Sequence, residues 1–159
     1  MATGLVISTF YAQSLIGPSA TPAGRASRAG LHVITFADAV AQSARFAARV
    51  PEDYSGGAWL ISSGFSMESA TSGSVVWFLE IDKIDNADTE SYAAIQSFTV
   101  AAPAVSGRIG SAIWLLSGAA LDGLAAGDWF RMRLTRDGGN GSDTATGAAE
   151  MHFLIALEN

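Results

Sequence analysis

The chain has 159 residues, no cysteine, a net charge of −6 and one lysine, Lys83. That length suits one domain able to bury about 68–70% of its unfolded surface. The missing cysteines exclude disulfides, thiolate metal sites and a cysteine nucleophile, and the acidic balance argues against a nucleic-acid partner, which needs clustered Lys and Arg.

Leu5–Ile16 is apolar, and Gly17–Gly30 follows with Pro18, Pro22 and Gly24, a composition typical of linkers. Residues 1–30 therefore read as an N-terminal arm that docks elsewhere through Leu5, Val6, Ile7, Phe10 and Tyr11. A strand added to the domain's own sheet is an equal alternative. No basic residue precedes Arg25, so no signal peptide is expected. Neither Leu5–Ile16 nor Ile109–Leu121 reaches the roughly 20 residues of a spanning helix, so no membrane partner is expected.

From Leu31 to the C-terminus the dominant period is two, as in strands with one buried face. Leu31–Phe36 reads as a strand. Phe36–Pro51 is alanine-rich, yet Phe46, Ala48 and Val50 fall on one face with Arg45 and Arg49 on the other, so it reads as a strand ended by Pro51. Trp59, Ile61, Phe65 and Met67 share a face, as do Val75, Trp77, Leu79 and Ile81, with Val76 and Phe78 opposite. Ile95–Ala101 and Ile109–Leu116 are two further strands. Phe130, Met132 and Leu134 alternate with Trp129, Arg131 and Arg133. Met151, Phe153, Ile155 and Leu157 alternate with His152, Leu154, Ala156 and Glu158. Short strands separated by Gly- and Ser-rich turns predict an all-β chain, an antiparallel β-sandwich or barrel over residues 31–159 carrying the extended arm 1–30.

Read in order, "VPEDY", the strand "SVVWFLEI" and "GDWFRMRLTRDGGNGSD" before a last apolar strand resemble the jelly-roll β-sandwich virion proteins of tailed bacteriophages. The resemblance implies a non-enzymatic structural protein on the virion surface, made in the host cytoplasm, forming a homotrimer and bound to the major capsid protein as a capsid decoration protein. The alternative it leaves open is a receptor- or carbohydrate-binding domain of a tail fibre or baseplate.

Three clusters invite a chemical reading. "GGNGSD", Gly138–Asp143, matches the start of a calcium-binding nonapeptide, but one copy cannot supply ligands that tandem turns share. It reads better as a loop whose Asp137, Asn140, Ser142 and Asp143 close local hydrogen bonds. Glu80, Asp82, Asp85, Asp88 and Glu90 could hold calcium or, as a pair, hydrolyse a glycoside. A solvated strand end is the favoured reading. His32 and His152 lack a conspicuous third ligand for zinc and read as packed in the sheet or at a subunit contact. No H-E-x-x-H, P-loop or G-x-S-x-G motif occurs, and neither cofactor nor metal is expected. Trp129, Arg131 and Arg133 form an outward stripe of types enriched at interfaces, and with Val76 and Phe78 they are the expected contact residues of the domain.

Overall fold

The computed structural model describes residues 4–17, 20–85 and 89–159. Ten strands are formed: β1 Val6–Tyr11, β2 Gly24–Arg28, β3 Leu31–Phe36, β4 Ala41–Arg49, β5 Trp59–Met67, β6 Ser74–Lys83, β7 Gln96–Ala101, β8 Gly110–Leu116, β9 Trp129–Asp137 and β10 Ala149–Glu158. They make two antiparallel sheets. The first runs β2-β3-β10-β5-β8, with β1 also on β10, and the second runs β4-β9-β6-β7. From β3 to β6, and again from β7 to β10, each successive strand crosses to the other sheet. This is a jelly-roll sandwich, as the resemblance implies, and it settles the sandwich-or-barrel choice that the alternation leaves open.

The inward positions of the two sheets meet in one core. Phe46 on β4, Phe130 and Met132 on β9, and Trp77, Leu79 and Ile81 on β6 face Phe36, Trp59, Ile61, Phe65 and Trp114 of the other sheet. Rings meet edge to face, Phe36 with Trp77 at 5.0 Å and Trp59 with Phe130 at 5.1 Å, the arrangement the ring quadrupole favours. Alanine-rich β4 is a strand because nine register pairs with β9 and the burial of Ala44 and Phe46 outweigh a weak helical preference.

Two expectations are corrected here. The described residues of the expected arm 1–30 do not form a separate arm. β1 pairs with β10, β2 pairs with β3, and Ile7 and Phe10 lie in the core, where the Phe10 ring meets Phe46 at 5.1 Å. Ile7 and Phe10 are thus unavailable to an outside partner, and Leu5 is packed against the same core. Val76, although on the outer side of β6, is 2% exposed and donates its N–H to Asp143 Oδ2 at 3.0 Å, so it presents no open apolar surface either.

β10 also breaks the alternation read from its sequence. The ladder with β5 shifts between Met151 and Phe153, a β-bulge at His152. Met151 stays inward, but beyond the bulge Leu154 and Ala156 point in, and Phe153, Ile155 and Leu157 turn to the outer face. One extra residue has reversed the strand's two sides.

Candidate functional site

The bulge coincides with a gap in the sheet. Along one edge of β10, β3 pairs with residues Ala149–Met151 and β1 with Phe153–Leu157, so the edge at His152 lies between two partner strands. Two adjoining hollows open here, of about 220 and 230 Å³. Ala12, Gln13, Arg25 and His32 line one, and Tyr11, Gln13, Leu31, His32, Ile109, His152 and Phe153 line the other. Tyr11 is 53% exposed. Phe153 sits opposite Tyr11 in register and its ring covers Gly64, where any Cβ would overlap it. The glycine is the space that lets the ring lie flat on the sheet.

His152 is held in a defined state. Arg28 donates to Glu150, and Ser66 Oγ donates to Glu150 Oε2 at 2.9 Å. The single hydroxyl proton of Ser66 is thereby used, so its oxygen accepts from His152 Nε2 at 2.9 Å. Burial, the largest influence, holds the imidazole below its ordinary pKa. The neutral ring then carries its proton on Nε2 and leaves Nδ1 as an unpartnered acceptor. The two histidines, distant in sequence, thus line one hollow, rather than a metal centre.

Beside the notch, the outer face of the first sheet carries Val6, Leu60, Ile113, Leu115, Ile155 and Leu157, with Ser62, Ser111 and Thr9 between them. Val6, Ile113 and Leu115 are each more than half exposed.

The carboxylate clusters are engaged elsewhere. On the outer face of the second sheet Arg133 grips both oxygens of Glu80 at 2.7 and 2.8 Å, and Arg131 pairs with Asp82 at 2.7 Å. Arg45 pairs with Glu90, and the Tyr92 ring lies 4.1 Å from the Arg133 guanidinium carbon. Asp88 lies outside the described residues. Glu80 and Asp82 are therefore neutralised and covered, not poised as an acid and a base. Arg131 and Arg133, expected as free contact residues, are tied down in the same network. Phe78 is half-buried on this face, and Trp129 stands open at the strand's start, 57% exposed.

Asp143 is not a loop-tip residue. It forms a fully buried pair with Arg136, accepting from Nε at 3.0 Å and Nη2 at 2.7 Å. The remaining Arg136 donors go to the carbonyls of Phe36, Ala145 and Gly147. All five N–H groups are satisfied, which is what permits a buried guanidinium. The preceding turn does close locally, through Asn140 to Asp137 and Ser142 to Asn140. Among the described residues no three His, Asp or Glu side chains gather where a metal ion could sit.

No protein-family model and no curated protein sequence matches the chain. Its fold, in contrast, is similar end to end to solved carbohydrate-binding modules. A module of Cellvibrio mixtus lichenase 5A in complex with cellotriose has a TM-score of 0.56 at 12% identity, covering 98% of this chain and 99% of that one. A family 35 carbohydrate-binding module from an environmental isolate has 0.57 at 8% identity, over 96% and 93%. The CBM22-2 xylan-binding domain of Paenibacillus barcinonensis Xyn10C has 0.56 at 9% identity, over 96% and 99%. These likenesses support the jelly-roll fold and overturn the capsid decoration reading, because the architecture that suggested a virion protein is that of glycan-binding modules and no match to a phage family accompanies it.

Proposed function

We propose that the chain is a carbohydrate-binding module that holds a glycan without cleaving it. The observation that carries this is the notch, where Tyr11 and Phe153 stand among Gln13, His32 and His152 in a fold shared with such modules. A pyranose ring has an apolar C–H face and a rim of hydroxyls. Aromatic rings accept the first at little entropic cost, while amide and imidazole groups exchange hydrogen bonds with the second. Both hollows are smaller than the roughly 300–1,000 Å³ of pockets that enclose a small molecule. Open hollows of this size suit one or two sugar units of a chain that continues into solvent.

The test is calorimetric titration against cello-, xylo- and mixed-linkage oligosaccharides, with a panel of plant, algal and bacterial polysaccharides on an affinity gel. Saturable binding that weakens about tenfold in Tyr11→Ala, with an unchanged circular dichroism spectrum, is the expected result, on the scale of one lost aromatic contact. Absence of binding across the whole panel would overturn the proposal.

A further inference from the structure

Resting on the carbohydrate-binding reading, we infer that the notch selects sugars bearing a fixed negative charge, and that Arg25 recognises that charge. The chain has nine cationic side chains against fifteen acidic ones. Among the described residues, Arg28, Arg45, Arg49, Lys83, Arg131, Arg133 and Arg136 each pair with a carboxylate. Arg25 and Arg108 do not, and of these only Arg25 lines the notch.

Arg25 is held at one point, donating from Nη2 to the Leu15 carbonyl at 2.6 Å. Its Nε–H and Nη1–H donors have no partner among the described residues. The guanidinium is therefore oriented by the 3₁₀ turn Ala12–Ser14 that ends at Leu15, yet retains enough donors for a two-pronged grip. Neither hollow is lined by an Asp or Glu, although acidic residues dominate the chain. An acidic protein that leaves an anchored arginine without a carboxylate partner among the described residues, in a hollow adjoining the one that Tyr11 and Phe153 line, has a site complementary to an anionic pyranose. The carboxylate of a uronic acid and a sulfate ester share that chemistry.

The experiment compares matched polymers on one backbone at low salt: polygalacturonate against its carboxyl-reduced neutral form, and dextran sulfate against dextran. The protein's own charge of −6 suppresses non-specific retention on acidic polymers. The expected result is a preference of about tenfold for an acidic polymer over its neutral partner, weakened by added salt and abolished in Arg25→Gln. Arg25→Lys, which keeps the charge but not the fork, should retain part of it. The polymer pair that shows the preference distinguishes carboxylate from sulfate. Equal binding of neutral and acidic forms, or a preference unchanged in Arg25→Gln, would overturn the inference while leaving carbohydrate binding intact. Binding to none of the four polymers, nor to the wider panel, would overturn both.

Discussion

The Arg136–Asp143 pair offers a demanding test of what holds the sandwich together. Asp143→Ala removes two charge-assisted bonds to a guanidinium that is fully buried, and also the acceptor for the Val76 N–H. The carbonyls of Phe36, Ala145 and Gly147 remain around Arg136, but a ring of neutral acceptors does not cancel a full charge. Breaking a buried pair in this way costs about 3–5 kcal/mol, a large share of the roughly 5–15 kcal/mol a domain has. With a urea m-value of about 1–3 kcal/mol/M, the unfolding midpoint should fall by about 2 M. Urea titration followed by tryptophan fluorescence and by circular dichroism measures it. Arg136→Met alone and the double variant complete a cycle, in which the two substitutions should be non-additive by about 2 kcal/mol or more. A loss below about 1 kcal/mol for Asp143→Ala, or additivity within about 0.5 kcal/mol, would refute the view that the two residues act as one buried unit.

Other outcomes follow from the notch and the second sheet. Gly64→Ala drives a methyl into the Phe153 ring and should cost about 1–3 kcal/mol by overpacking; Phe153→Leu in the same chain should recover part of it in thermal denaturation. Because burial depresses the folded-state pKa of His152 below the ordinary histidine value of about 6.5, the unfolded chain binds the extra proton first as pH falls. The stability the neutral ring contributes is therefore complete above about pH 6.5 and declines as pH drops towards the folded value. Melting between pH 7 and pH 5 should show this slope reduced in His152→Gln. Glu80→Gln should lower stability by about 1–2 kcal/mol through loss of the grip on Arg133, with glycan affinity by titration unchanged.

Much of the sandwich is legible in strands whose two faces differ. Val75, Trp77, Leu79 and Ile81 are large and apolar while Glu80 and Asp82 stand opposite, so period two identifies the inward side of β6 directly. β10 gives no such contrast. Phe153, Ile155 and Leu157 on one side and Leu154 and Ala156 on the other are all apolar, and a bulge that swaps them leaves the hydrophobic pattern unchanged. β1 is ambiguous for the same reason, with Ile7 and Phe10 competing with Val6 and Tyr11, and only its pairing with β10 decides. Asp143 reads as a turn former because turns favour Asp, while its partner Arg136 is a charge at an inward position that propensity alone would place outside. The notch has no motif at all. Tyr11, Arg25, His32 and His152 come from separate strands, and what joins them is the gap between β1 and β3. The two histidines flanked by apolar residues were the one available signal.

The position of β10 governs how the molecule comes into being. It is the last of the ten strands in chain order, yet it pairs with β1, β3 and β5, bonding residues more than eighty positions earlier. During synthesis the edges that β10 covers on those three strands stay open until residues 149–158 emerge, so the first sheet closes late. Such late, long-range closure makes for slow folding and prolonged exposure of sticky edges to chaperones and aggregation.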